Sequence, residues 1–268
     1  MYRLCMFVAL VSVAACGSDS SSPSAPSAVA SSVSVTVSSP VRMGQTTQAT
    51  GSATSSGGQT QPVTSGWLSD TTTVATVTNA GLVTGVANGR ATIYVVSGGR
   101  QGQQVVRVVP DYQGRWSGGL GVTSCAETGI FASVGFCAEL PAGSTSGYSL
   151  AVSQSGEQIT ASASYGSLSF PVVTAPIRDD GTSAFTTTAS ITDSGVTLTL
   201  EASWVITSLR VGEMGGTVNE VWRIPNVSGE GRLAQNIVQT VRSSTSAVSG
   251  RGDSVKTRAI QRLAGKDR

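Results

Sequence analysis

Few residues in this sequence could carry acid–base or covalent chemistry. The chain has 268 residues and contains no histidine. Serine and cysteine hydrolases with a histidine base, the usual catalytic zinc sites and histidine pH switches therefore lack their central residue. Fifteen acidic side chains and four cysteines remain as the main candidates for such chemistry.

Two glutamates could in principle form a catalytic pair. Glycoside hydrolysis needs an acid and a base carboxyl group beside one bond, and Glu201 and Glu220 are the candidates. The alternation around Glu201 places it on the polar face of a strand, which favours a solvated side chain. Asp179 and Asp180 precede Gly181 and indicate a turn rather than a set of calcium ligands. We therefore predict no enzyme activity, no metal site and no cofactor.

The N-terminal residues predict an export signal over residues 1–15. Arg3 is followed by an apolar run that is too short to cross a bilayer, which takes about 20 residues. The sequence Val-Ala-Ala-Cys, ending at Cys16, resembles the bacterial lipoprotein box. That resemblance implies cleavage before Cys16, acylation of its thiol and amino group, and a membrane anchor. Gly17 is similar to the residue found in outer-membrane lipoproteins, and an ordinary secretory signal with a chance cysteine is the alternative.

The other cysteines predict a disulfide. Cys5 would leave with the signal and Cys16 would carry lipid, so Cys125 and Cys137 remain. Two thiols close in sequence in an exported chain are expected to oxidise, and the bond would stabilise the fold by about 3 kcal/mol. The alternative, a metal site with two thiolates, has no histidine or further cysteine nearby.

A linker and a first β domain are predicted next. Residues 16–32 are rich in Ser, Ala and Pro, a composition typical of a flexible spacer. Residues 33–110 contain short apolar–polar alternations separated by Gly, Asn and Ser, without a helical stretch, which favours a β-sandwich. The clearest alternating runs are 33–37, 91–96 and 105–109.

The middle of this domain contains Trp67-Leu68-Ser69-Asp70, Val74-Ala75-Thr76-Val77 and the run NAGLVTGVANGRATI from Asn79 to Ile93. These stretches closely resemble the bacterial immunoglobulin-like group 2 domain, over roughly residues 33–109. The resemblance implies an immunoglobulin-like sandwich. Such domains occur in surface adhesins and in cell-wall or carbohydrate-associated proteins, often as spacers, and the matched positions include no shared catalytic residue.

The residues that carry this resemblance are expected to be structural. They are Trp67, Gly81, Gly85 and Gly89. The first two glycines lie where the backbone must reverse, and Leu82, Val86 and Ile93 are predicted to face inward. Trp67 is predicted to fill the core, with stacking on a sugar as the alternative.

A second antiparallel domain is predicted over residues 111–226. Its clearest strand alternates over residues 196–207, and turn signals separate the predicted strands at 155–156, 179–181 and 193–195. Seven to nine hairpin-linked strands suit an up-and-down barrel or a second sandwich. The opening Gly114-Arg115-Trp116-Ser117-Gly118 and the regular meander faintly resemble lipocalin-like barrels of bacterial lipoproteins, a likeness that implies no binding residues.

Residues 227–268 are predicted to form a basic tail, disordered or with short helices. They hold eight basic and three acidic residues, whereas residues 111–226 hold four arginines and ten acidic residues. The spacing of Leu233, Ile237 and Val241 is helical. We expect the tail to stay mobile or to dock on its own acidic domain; contact with an anionic envelope surface is the alternative. The tripeptide at 251–253, Arg-Gly-Asp, is interpreted as coincidence.

The sequence thus predicts an all-β, non-catalytic cell-envelope lipoprotein whose immunoglobulin-like domain presents a binding, adhesion or glycan-associated surface. Its expected partners are the membrane, through the lipid, and an envelope polysaccharide or a surface protein. Nucleic acid is not expected, because the chain has only two lysines and no aromatic residue is interleaved with the arginines. One alternative is a lipocalin-like carrier with an open apolar cavity. A hydrolase with paired carboxylates is a third.

Overall fold

A computed structural model describes residues 29–193 and 195–243. The predicted export signal, Cys16, most of the linker and residues 244–268 lie outside the described residues. The described part consists mainly of strands with two short helices, so the all-β prediction is confirmed. Neither helix in this part is long and apolar enough to cross a membrane.

The first domain consists of short strands in three sheets. The strands are β1 (Ala30–Thr36), β2 (Val41–Arg42), β3 (Thr46–Gln48), β4 (Thr50–Ser55), β5 (Thr60–Val63), β6 (Trp67–Ser69), β7 (Ala75–Val77), β8 (Leu82–Gly85), β9 (Gly89–Ser97) and β10 (Arg100–Val109). The sheets have the strand orders β1-β4-β5, β2-β10-β9-β6 and β3-β8-β7.

Alternation along β9 and β10 builds the core of this domain. Ile93 and Val95 on β9 are fully buried, as are Val106 and Val108 on the antiparallel strand β10. Trp67 at the start of β6 pairs with Val95 and packs into the same cluster. Branched apolar side chains on paired strands fill a common layer, and the predicted inward position of Ile93 is confirmed.

Two other predicted inward positions in this domain are wrong. Leu82 and Val86 are 39% and 42% exposed, and Val83 is fully buried instead. Gly81, with a φ of 86°, turns the chain so that β8 starts with Leu82 on the outer face. Because successive strand residues point to opposite faces, a phase difference of one residue exchanges inside and outside. Val86 follows Gly85, where β8 ends.

The second domain is a nearly closed up-and-down barrel. Its strands are β11 (Gly114–Glu127), β12 (Thr145–Ser155), β13 (Gln158–Tyr165), β14 (Leu168–Ser169), β15 (Val173–Pro176), β16 (Ser183–Asp193), β17 (Val196–Arg210), β18 (Glu213–Arg223) and β19 (Gly231–Ser243). The sheet order is β14-β13-β12-β11-β19-β18-β17-β16, and β15 also pairs with β13. A bridge between Ile177 and Ser183 brings β16 next to β15 and almost closes the ring.

Inward-facing apolar side chains fill this barrel. On β17 they are Leu198, Leu200, Ala202, Trp204 and Ile206, as the alternation predicted. Trp204 lies among Tyr148, Tyr165 and Phe185, whose ring centroids are 5.5 to 6.1 Å from its own. Aromatic pairs at such distances stabilise a fold beyond the contribution of the apolar area that they bury.

Both ends of the barrel are covered. At the end next to the first domain, the buried hydroxyl of Tyr112 donates to the carbonyl of Gly181 at 2.6 Å. At the other end lie two one-turn helices, α1 (Ile130–Ser133) and α2 (Phe136–Glu139). Phe136 of α2 packs against Trp222 with a centroid distance of 5.8 Å, so the β11–β12 connection covers the barrel end.

The predicted basic tail is wrong over residues 231–243, which form the strand β19 between β11 and β18. Leu233 and Ile237 face inward with the buried, polar Gln235 between them, which breaks the apolar alternation in the sequence. A register shift in the β11–β19 pair and a φ of 52° at Gln239 then change the phase. A strand interrupted by a β-bulge therefore produced an apparent helical spacing.

Candidate functional site

Acidic side chains do not converge on a catalytic geometry among the described residues. No group of three or more His, Cys, Asp or Glu side chains in this part is placed to hold a metal ion. Glu201 and Glu220 lie on neighbouring strands, but Glu220 is buried in the barrel and Glu201 lies on the outer face beside Arg223. Two carboxyl groups on opposite faces of one sheet cannot act on the same glycosidic bond.

Glu220 is buried inside the barrel beside the aromatic side chains of Trp222 and Tyr165. The indole N–H of Trp222 donates to Glu220 Oε2 at 3.0 Å. Burial, followed by the charge of the nearby Glu220, raises the pKa of Tyr165 well above its usual value. A phenol that stays protonated can donate a hydrogen bond, so both aromatic residues can compensate the buried carboxyl group.

The turn predicted at residues 179–181 is present in the structure. Asp180 Oδ1 accepts hydrogen bonds from the backbone N–H and the hydroxyl of Thr182, at 2.8 and 2.7 Å, and these bonds lower the pKa of Asp180. The carboxylate of Asp179 lies 3.6 Å from the guanidinium of Arg90. Asp180 therefore stabilises the turn, whereas the carboxylate of Asp179 faces an exposed arginine of the first domain.

A disulfide joins Cys125 and Cys137 in the structure. It links the end of β11 to α2, and the backbone N–H of Cys137 also donates to Glu127 Oε2 at 2.6 Å. The link holds Phe136 over the barrel end. Oxidation of these thiols in solution stays a prediction, as does the lipid on Cys16, which lies outside the described residues.

The residues that carry the family resemblance occupy packing positions. Trp67 is buried, so its ring is not available for stacking on a sugar. A Cβ atom at Gly81 would lie 3.1 Å from the Trp67 ring, and one at Gly85 only 2.8 Å from the carbonyl oxygen of Arg42. A Cβ at Gly89 would approach a valine side chain to 2.9 Å. These glycines allow close contacts and supply no chemistry.

The barrel interior does not resemble a carrier site in the described residues. A cavity for an apolar ligand would leave accessible surface on the side chains that line it. The central inward-facing residues are instead almost completely inaccessible, including Trp116, Leu120, Leu150, Ile159, Leu200 and Trp204. Aromatic and branched side chains thus occupy the space that a ligand would need.

A groove on the outer face of the barrel contains an exposed arginine among small polar and apolar side chains. We name it the Arg115 groove; it encloses about 580 Å³, and its lining includes Arg115, Ala151, Ser153, Thr160, Ser162 and Val172. Strand pairing places Arg115 beside Ala151, and Ala151 beside Ser162, in one row across β11, β12 and β13. Sequence reasoning missed this groove, because outward Ser, Thr and Ala residues on a strand give no distinctive pattern.

Arg107 connects the two domains. It lies on β10, its side chain is 5% exposed, and its Nη2 donates to the carbonyl oxygens of Arg178 and Asp179 in the barrel at 3.0 and 3.3 Å. Asn88 Nδ2 donates to the same Asp179 carbonyl at 2.9 Å. The sequence signal for this contact is an arginine inside the valine run of residues 105–109.

Asp111 forms a second connection in the segment between the domains. Its carboxylate accepts from Arg42 of the first domain at 3.3 Å and from Arg242 of β19 at 3.0 Å. The guanidinium of Arg242 also lies 5.1 Å from the centroid of the Trp116 ring. One largely buried carboxylate therefore joins both domains to their connecting segment.

Comparisons with known proteins give a family match for the first domain. Residues 29–109 match the model of the bacterial Ig-like domain (group 2). No curated protein matches the chain. Domains 5–6 of the S-layer protein SbsC share 17% identity over 80% of this chain and 97% of theirs, with a TM-score of 0.25. A fatty acid transporter, REP1-NXSQ, shares 9% identity over 50% of this chain and 97% of its own, with a TM-score of 0.17.

These low TM-scores leave the family match as the informative comparison. A bacterial Ig-like domain fits a non-catalytic surface module and points to a cell-surface or extracellular protein. The structure gives the same region the short antiparallel strands of a sandwich around Trp67. Residues 29–109 of this chain are therefore a bacterial Ig-like domain (group 2).

Proposed function

We propose that this protein is a non-catalytic lipoprotein of the cell envelope that binds an envelope polysaccharide or a surface protein. The observation that carries the proposal is the Ig-like domain at residues 29–109. It follows a segment in which Cys16 closes a lipoprotein-like motif. A lipid on Cys16 would hold the protein at a membrane, and the predicted linker of residues 16–32 would act as a spacer, although it ends earlier than predicted because β1 begins at Ala30.

The chemistry of the described residues supports a binding role over catalysis. The candidate acids Glu201 and Glu220 are separated by the sheet, Asp180 stabilises a turn, and Asp179 pairs with an exposed arginine. Buried aromatic side chains fill the barrel, which favours a solid scaffold over a carrier. The outer surfaces of the two domains are therefore where a partner would bind.

Metabolic labelling with an alkyne analogue of palmitate tests the anchor. The full chain produced in a bacterial host should carry the label, and Cys16→Ala should lose it and leave the membrane fraction, because no acyl chain remains to hold the protein. Cys5→Ala is the matched control and should keep both label and location, since residue 5 would be removed with the signal. Equal labelling of the Cys16→Ala variant would contradict the proposed anchor.

Sedimentation of the purified chain with isolated bacterial envelopes tests the binding role. We expect the protein to sediment with envelopes, and pretreatment of the envelopes with glycosidases or with proteases identifies the partner class. Absence of sedimentation with every envelope preparation would contradict the binding role while leaving the lipid anchor untouched.

A further inference from the structure

We infer that the Arg115 groove binds a carboxylated saccharide, such as a segment of a polysaccharide rich in uronic acids. The inference rests on the proposed binding function and assigns it a surface and a ligand chemistry. The groove lies on the barrel, whereas the family match lies on the other domain. It therefore gives the second domain a role that the Ig-like domain does not supply.

The charge of Arg115 is the first argument. Its side chain is exposed and forms no ion pair or hydrogen bond with a described residue. Among the other arginines of the barrel, Arg210 pairs with Glu213, and Arg223 with Glu230. No lining residue of the groove is acidic, although residues 111–226 contain ten acidic residues. An anionic group can form an ion pair with this guanidinium, and a planar carboxylate can accept two parallel hydrogen bonds from it.

The remaining lining matches a sugar ring better than a peptide or a nucleic acid. The hydroxyl group of Ser153 can donate to and accept from sugar hydroxyls, that of Ser162 can accept while it donates to the carbonyl of Phe170 at 3.5 Å, and Ala151 presents only a methyl group. From β11 to β13 the groove is about 10 Å wide, two strand spacings. The strands below it are paired on both sides, so no free backbone edge is present for a peptide. No aromatic residue lines it to stack a base.

Binding of an oligogalacturonate to the full chain, measured by calorimetry, tests the inference. The methyl ester of the same oligosaccharide is the matched ligand control, because it removes the charge of the carboxyl groups and keeps the sugar backbone. We expect the acid form to bind at least tenfold more tightly than the ester, and its affinity to fall as salt is added. Equal binding of the two forms, or no binding of the acid form, would overturn the assignment.

Variants of the groove identify the binding surface. Arg115→Gln should lower the affinity about tenfold or more. Arg115→Lys should lower the affinity less, because lysine keeps the positive charge but cannot donate two parallel hydrogen bonds. Ala151→Tyr should block the floor. Arg100→Gln removes an exposed arginine at the start of β10 in the other domain and should change nothing. Circular dichroism checks that each variant is folded. If Ala151→Tyr does not fold, the variants of the exposed Arg115 still test the assignment.

The outcomes separate this inference from the proposed function. If Arg115→Gln binds the oligosaccharide as well as the unaltered chain does, the groove is not the site. If the unaltered chain and Arg115→Gln sediment equally with envelopes, the proposed binding role stands and the groove assignment fails. Loss of envelope binding in Arg115→Gln, but not in Arg100→Gln, would support both.

Discussion

Gln235 shows how a single side chain can work against the stability of the barrel. It is 1% exposed, and neither its amide oxygen nor its amide nitrogen has a hydrogen-bond partner among the described residues. Its neighbours across the sheet are Val122 and Val218. A buried polar group without a partner costs about 1–3 kcal/mol, because water satisfied it in the unfolded chain.

Replacement of this amide should therefore stabilise the protein. Gln235→Met keeps the length of the side chain and removes both polar atoms, and we expect the free energy of unfolding to rise by about 1 kcal/mol. Urea denaturation followed by tryptophan fluorescence measures the change. Gln154→Met is the matched control and should destabilise, since Gln154 Oε1 accepts from the N–H of Tyr112 and its Nε2 donates to the carbonyl of Pro110. Destabilisation by Gln235→Met as large as that of the control would show that the amide has partners in solution.

At the scale of elements, a disulfide holds the connection between β11 and β12 against the barrel end. The Cys125–Cys137 bond closes a short loop, and Phe131 and Phe136 within it are buried. Replacement of both cysteines by serine should lower the free energy of unfolding by about 3 kcal/mol, because the unfolded chain regains the freedom that the bond removed. Chemical denaturation measures the loss, and mass spectrometry without reductant should find the unaltered protein two hydrogens lighter than its reduced form.

Phe136→Ala, with the cysteines retained, separates the bond from the packing that it supports. It should also destabilise, by about 3 kcal/mol, through lost contact with Trp222, but should leave the mass difference unchanged. Alkylation of Cys125 or Cys137 in the unaltered protein under native conditions would contradict the predicted bond.

Elements differ in how far the sequence predicts them. Strand β17 was predictable, because inward apolar residues from Leu198 to Ile206 alternate without interruption. Strand β19 was not, because Gln235 is polar at an inward position and the bulge at Gln239 shifts the phase. The Arg115 groove leaves even less signal, since it depends on three paired strands whose outward residues are small and common. Register between distant strands creates such a surface, and local periodicity does not encode register.

On the scale of the whole molecule, buried contacts at the domain junction fix the position of the Ig-like domain on the barrel. Arg107 reaches two barrel carbonyl groups and also donates to the carbonyl of Gly89 in its own domain at 3.2 Å. Hydrogen bonds from a charged donor contribute about 1.5–3 kcal/mol each when water is excluded. By contrast, the ion pair between Arg90 and Asp179 spans the same junction, but its side chains are 63% and 92% exposed, so it should contribute little.

Arg107→Met should free the domains from each other without unfolding either one. Methionine keeps most of the apolar stem but cannot donate to the carbonyl groups of the barrel, so the relative positions of the domains should broaden. Spin labels at the exposed positions Leu68 and Ser190, one in each domain, measure this as a distance distribution by pulsed electron resonance. Arg90→Met, which removes the exposed pair at the same junction, should keep the narrow distribution of the unaltered protein. A narrow distribution in Arg107→Met as well would mean that Asp111 with its two arginines is sufficient to hold the domains, because that carboxylate joins them independently of Arg107.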